Sequence, residues 1–95
     1  MPAVARHGDT FISSTGGGTI VATATASFAD GKKIARLNDE CPHYHYFHGI
    51  IPWPHAKIVT ASSVGFAEGK GIARVGDTLN CGCVITSGSP TMTCE

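Results

Sequence analysis

From Thr19 to Phe28 the chain reads TIVATATASF, in which small apolar residues alternate with hydroxyl residues. In an extended segment this period of two places Ile20, Ala22, Ala24, Ala26 and Phe28 on one face. Thr and Val suit a pleated, half-buried surface. A second run, IVTASSVGF, begins at Ile58. Each run leads into a Gly-containing break between apolar residues, ADGKK and AEGKG, which predicts a hairpin turn. Helix finds no support, because Gly is abundant and no stretch of helical length shows a 3.6-residue period. STGGG, HGIIPWPH and TSGSP read as turn-rich connections. The pattern as a whole predicts an all-β protein.

The two runs are copies of one another. Residues 20–39 align without a gap on residues 58–77, a shift of 38, and ten of the twenty positions are identical. A third, shorter copy opens the chain: AVARHGD (3–9) matches KIARLND (33–39) and GIARVGD (71–77). The repeated core is apolar-Ala-Arg-x-x-Asp, at spacings of 30 and 38 residues. Units that cannot close a core alone must pack on one another. Three of them predict an object with a pseudo-threefold axis, built as one domain over residues 1–95.

Composition narrows the function. Lys and Arg number 7 and Asp and Glu 7, so the formal charge is zero, which excludes a phosphate-neutralising nucleic-acid binder. No apolar run approaches the roughly 20 residues of a membrane span. No basic, apolar-centred leader opens the chain, so export by a cleavable signal is not expected. Four cysteines could make two disulfides in a secreted miniprotein. Without a leader, and with 5 His present, reduced thiols or metal ligands are the expectation.

The repeats place the candidate chemistry. Each sets Arg three residues before Asp on the way out of a strand. Arg is expected to bridge neighbouring repeats and Asp to close the following turn by accepting backbone amides. Three carboxylates round an axis could serve catalysis, but no nucleophile–base pair is placed to use them. Four residues after each repeat Asp come Ser13, His43 and Cys81. Under a pseudo-threefold axis these face one another, and two of them are metal-ligand types. The second copy adds His45 and His48 on the loop CPHYHYFHG. Zinc takes His nitrogen and Cys thiolate in a closed tetrahedron, so the expected set is His43, His45, His48 and Cys81, a structural site. Cys41 and Cys83 are the alternatives, His55 is a weaker one, and His7 is expected to be a solvated turn residue. Two readings compete: an aromatic surface patch without metal, and a Cys–His hydrolase using Cys81 or Cys83, which lacks an orienting third group.

The thrice-repeated Ala-Arg-x-x-Asp core, with GKKIARLND, GKGIARVGDTLNCG and GSPTM, resembles the PAAR-repeat proteins. In the family's Pro position stand Ala3, Lys33 and Gly71, and Asn38 replaces the usual Gly before Asp. The resemblance matches Arg6, Arg36, Arg74, Asp9, Asp39 and Asp77 to the scaffold motif, His48 to the His of HG, and Cys81 to the Cys of CG. It implies a small conical β-prism, with zinc near the apex, that caps and sharpens the trimeric VgrG spike of a type VI secretion system. It further implies a monomer held in the bacterial cytoplasm until firing carries it out or into a target cell. The repeats run from residue 3 nearly to residue 95, so no fused toxin is expected, and in effector delivery the protein would itself serve as an adaptor that binds effector proteins. The tip of a contractile phage tail and a stand-alone zinc-binding module are the alternatives.

Overall fold

In a computed structural model the described residues are 2–46, 50–53 and 56–95, with the backbone alone described at 44–46 and 50–53. The repeat motif forms the same turn three times. The Asp carboxylate accepts the backbone N–H of the Arg three residues earlier, at 2.8 Å in Arg6–Asp9, Arg36–Asp39 and Arg74–Asp77. Each Asp N–H returns to the Arg carbonyl at 3.0 or 3.1 Å. The residue before each Asp is left-handed: Gly8 (φ 87°), Asn38 (φ 70°) and Gly76 (φ 96°). Asn tolerates that conformation better than other side chains, so the departure at Asn38 keeps the turn.

These turns hold three short extended segments against one another in a ring. The Ala5 N–H donates to the Ala73 carbonyl, Ala73 to Ala35, and Ala35 back to Ala5, each at 2.9 Å. A second cycle runs His7 to Lys33, Leu37 to Gly71 and Val75 to Ala3, at 2.7 to 2.9 Å. Two closed cycles of like bonds are the pseudo-threefold symmetry expected from the repeats. Ala5, Ala35 and Ala73 are each 0 % exposed; methyl groups fit where three backbones converge, and a longer side chain would overpack the centre.

Every regular element among the described residues is a strand. They are β1 (Thr10–Ser13), β2 (Gly16–Thr19), β3 (Phe28–Ala29), β4 (Lys32–Lys33), β5 (His43–Tyr46), β6 (Ile50–Trp53), β7 (Phe66–Ala67), β8 (Lys70–Gly71) and β9 (Val84–Ile85). Five form an antiparallel sheet in the order β6-β5-β2-β1-β9. β3–β4 and β7–β8 are the two predicted hairpins. Asp30–Gly31 and Glu68–Gly69 turn them with φ of 53° and 78°, and 51° and 81°, the double positive φ that matches the twist of paired strands. At the third equivalent place Ala3 bridges Thr93, as Lys33 faces Phe28 and Gly71 faces Phe66. There the pair is made by residues far apart in sequence.

Side chains pack on both faces of the ring. On one, Val4, Ile34, Ala29 and Ala67 cluster with Ile72 and Cys94 beside the hairpins. On the other, Ile20, Ile58 and Ile85 pack with Phe11, Cys41 and Leu79. The three isoleucines are equivalent: each donates to and accepts from the Arg-x-x-Asp turn at one place in its copy. Burying each contributes about 2–3 kcal/mol. The molecule measures 38 × 23 × 22 Å, one long and two like short dimensions, as an elongated object round a threefold axis should.

Three expectations change. The face of Ile20, Ala22 and Ala24 is buried, but Ala26 and Phe28 are exposed. The chain bends at Thr25 and Ala26, whose N–H groups turn to the Glu68 carboxylate, and the alternation changes phase so that Ala29 faces inward. The Gly of STGGG lie in β2, a paired strand, not a loose connection. Ile50–Trp53 is also a strand, β6; it accommodates Pro52 because it lies at the sheet edge.

Candidate metal centre

Beyond each repeat Asp the chain runs inward for two residues, and in the third copy it then turns at Asn80–Gly82. The second residue on is Phe11, Cys41 or Leu79, all in the core. The fourth is Ser13, His43 or Cys81, as the alignment requires. Strands carry Ser13 and His43, and the turn at Asn80–Gly82 carries Cys81, to one place over the apolar layer. The imidazole of His43 is buried, and its Nε2 lies 3.2 Å from Cys81 Sγ and 3.6 Å from Cys83 Sγ. The Ser13 hydroxyl and the Cys83 thiol both face the Gly16 carbonyl, at 3.3 and 4.0 Å. All four cysteines are thiols without a disulfide.

The ligand atoms of His43, Cys81 and Cys83 lie within 4.8 Å of one another. Bonds of about 2.0–2.3 Å at tetrahedral angles hold ligand atoms roughly 3.3–3.8 Å apart; the longer nitrogen–sulfur distance, 3.6 Å, lies in that range and the shorter, 3.2 Å, just below it, so a small outward shift of Cys81 admits a single ion. The second ring nitrogen supports this fit. His43 Nδ1 lies 2.9 Å from the Cys41 carbonyl, and as a donor to it leaves Nε2 with its lone pair towards the thiols. Phe11 holds the ring edge-on at 4.8 Å and 75°. Burial, reinforced by the neighbouring Cys81 sulfur and eased by the Ser13 hydroxyl, pushes Cys83 up to about 11. A divalent ion supplies the charge that lets such a thiol ligate as thiolate. The cluster can bind a metal ion.

Of the expected set, the structure brings together His43 and Cys81, across 38 residues of chain. Cys83, an alternative, joins them. Cys41 is also close in sequence, yet it offers its carbonyl to His43 and turns its sulfur to the Asp39 carbonyl at 3.7 Å. Burial raises its thiol pKa. His45 lies in β5, paired with Ile51 and Gly16; its side chain, like His48 and His55, lies outside the described residues. His7 is the exposed turn residue expected, its Nδ1 accepting from the Ala22 N–H at 3.2 Å. What sequence reading missed is the role of the first copy. It gives no metal-type ligand at position 13 but a run of Gly that makes room: a Cβ on Gly18 would lie 3.1 Å from the His43 Cβ and 3.2 Å from the Phe11 ring, and one on Gly17 2.5 Å from the Phe11 carbonyl oxygen.

The repeat Arg–Asp pairs brace the layer beneath. Arg6 and Arg74 each grip their Asp with two nitrogens, at 2.9–3.1 Å. Burial alone would raise the Asp9 pKa, but hydrogen bonds from the Arg6 side chain and backbone and from Ser87, with the Arg6 charge, carry it below the ordinary carboxylate range. Arg6 also reaches Asp30 and Arg36 reaches Glu68 in neighbouring copies, at 3.3 and 4.0 Å, which is the bridging role expected of them.

A family model described as the PAAR motif matches residues 12–87. The chain belongs to the PAAR-motif family. No curated protein matches it. PAAR modules are structural and non-enzymatic, and the motif implies a spike-tip protein of type VI-related systems. For this PAAR protein the Arg and Asp of the motif are turn and bridge, and no catalytic role is needed to account for their repetition.

Proposed function

We propose that this PAAR protein is the tip of a contractile injection spike, seated by its hairpin end on a trimeric VgrG-like protein and held rigid at the other end by zinc. The observation that carries the reading is the separation of two faces across the threefold ring. One side holds the His43–Cys81–Cys83 cluster. The other exposes Phe28 (51 %), Phe66 (62 %), Val64 (68 %) and Met92 (39 %) beside the hairpins. Phe28 and Phe66 are equivalent positions of two copies, and Met92 neighbours the third, so apolar surface recurs round the axis as a threefold partner requires.

Zinc fits the mixed nitrogen and sulfur donors. We assign it to His43, Cys81 and Cys83, with the fourth place left to the histidines that follow in sequence, His45 and His48. A closed set without open position is structural, and binding to the folded ligands stabilises the fold by mass action. The protein waits in the bacterial cytoplasm and leaves with the spike; any effector binds it as an adaptor.

The test is co-purification with a trimeric spike protein, for the parent and a Phe28→Asp, Phe66→Asp double variant. The parent should form a stable 1:3 assembly and carry about one zinc. The variant should keep its zinc and lose at least tenfold in spike affinity. A parent that is folded and zinc-loaded but indifferent to the spike would leave a stand-alone metal module and overturn the tip assignment.

A further inference from the structure

Two of the three clustered ligand atoms belong to residues separated by a single glycine. Leu79 N–H donates to the Cys83 carbonyl at 2.9 Å and Gly82 N–H to the Leu79 carbonyl at 3.0 Å, so one tight turn holds both cysteines. Gly82, at φ 94°, lets the chain reverse between them. Their sulfurs lie within 4.8 Å of each other, with His43 Nε2 facing both. Cys81 is partly exposed and Cys83 is buried. The other two thiols are placed differently: Cys41 is 0 % exposed with its sulfur on a carbonyl, and Cys94 packs in the cluster across the ring.

We propose that Cys81 and Cys83 form a redox switch, in which a disulfide between them takes both sulfurs from the metal and releases it. The inference rests on the metal reading above and adds its regulation. The oxidant is a small or protein disulfide. The Cys81 sulfur attacks one sulfur of that disulfide, forms a mixed disulfide and expels a thiolate. The Cys83 sulfur then attacks Cys81 Sγ and expels the second thiolate. Two electrons pass from the cysteine pair to the oxidant, two thiolates leave, and the divalent ion departs with the positive charge its ligands no longer balance. His43 alone of the cluster then remains a donor. In a reducing compartment the site stays loaded, and in an oxidising one it empties.

The experiment uses the whole chain carrying Cys94→Ser, loaded with zinc under reduction and freed of reductant. Oxidised glutathione is added in excess, released zinc is read with a chromogenic chelator, and the product is mapped by intact mass and peptide analysis. The expected result is loss of at least nine-tenths of the zinc in step with the loss of two hydrogen masses, the bond mapping to Cys81–Cys83, and recovery of zinc binding after a dithiol reductant. A Cys83→Ser variant should instead stop at the glutathione adduct of Cys81. Zinc retained while glutathione remains in excess, or a bond that maps to Cys41, overturns the switch and leaves the metal site standing. A reduced protein that takes up no zinc overturns the metal reading, and the switch falls with it.

Discussion

The metal cluster depends on what two glycines leave out. Gly18 and Gly17 in β2 lie under Phe11 and His43, and each would meet them differently if it carried a methyl group. A Cβ at Gly17 falls 2.5 Å from a backbone oxygen, which cannot swing away; at Gly18 the neighbours are the His43 Cβ at 3.1 Å and a ring edge at 3.2 Å. Gly17→Ala should therefore cost about 1–3 kcal/mol through forced backbone movement, read as a lower urea midpoint with or without zinc. Gly18→Ala should cost about 1 kcal/mol, but it pushes on the ligand itself. Its larger effect should be several-fold weaker zinc binding in a chelator competition. Equal effects of the two variants on zinc would show that β2 supports the site only through general stability. Sequence reading found His43 and Cys81 because they recur at one repeat position, and could not rank Cys83 over Cys41, because both are two residues from a candidate ligand. The turn at Gly82 and the carbonyl contact of Cys41 decide between them, and neither has a signature in composition.

At the scale of elements, the hairpins are fastened by acids at their turns. Glu68 accepts from Thr25 through side chain and backbone and from the Ala26 N–H, at 2.8 to 3.4 Å. These bonds, led by the Thr25 hydroxyl and only partly opposed by desolvation, lower its pKa from 4.5 to about 2. Asp30 is lowered likewise by Ser89 and Thr91, whose hydroxyls it accepts, with smaller help from Arg6. At the third place the Ser62 hydroxyl meets the Glu95 main-chain oxygen. A depressed carboxylate stabilises the fold fully above its ordinary pKa and loses that contribution as pH falls through the folded value. For Glu68 the window runs from about 4.5 down to about 2. Glu68→Gln should therefore be less stable than the parent at pH 6, and the gap in urea midpoint should close as pH falls from 4.5 to 2. A gap independent of pH would mean that hydrogen-bond geometry, not charge, carries the contact. The hairpins were legible because Asp-Gly and Glu-Gly between apolar residues demand a tight turn. The exposure of Phe28 was not, since the bend that reverses the alternation is made by a carboxylate from another copy.

Across the whole molecule, two unbroken repeats and one split repeat make a closed ring. The two cycles of backbone bonds through Ala5, Ala35 and Ala73 and through His7, Leu37 and Val75 treat the three copies alike. Yet the third hairpin is assembled from Ala3 and Thr93, with Val4 N–H on the Met92 carbonyl at 3.0 Å and Cys94 N–H on the Pro2 carbonyl at 2.9 Å. The threefold axis could be read from sequence because Ala-Arg-x-x-Asp recurs; the partner of the first copy could not, because Thr93 shares no motif with Phe28 or Phe66. The cyclic arrangement makes a specific demand on connectivity. If the ring, rather than chain order, specifies the fold, a two-residue Asn-Gly link from Cys94 to Pro2 should complete the third hairpin, since that dipeptide adopts the double positive φ found in the other two. The chain can then be opened between Gly31 and Lys32, which keeps Asp30 attached to the strand that presents it to Ser89. Loop closure at one hairpin replaces loop opening at another of equal length, so the entropy terms nearly cancel. The permuted protein should retain its β-sheet spectrum, bind zinc with affinity within about threefold of the parent, and unfold in one cooperative transition with an unfolding free energy lowered by less than about 1 kcal/mol. Loss of cooperative unfolding, with the spectrum of a disordered chain, would mean that the continuous β3–β4 hairpin is needed to start the ring and that the three copies, equal in the finished structure, are not equal in making it.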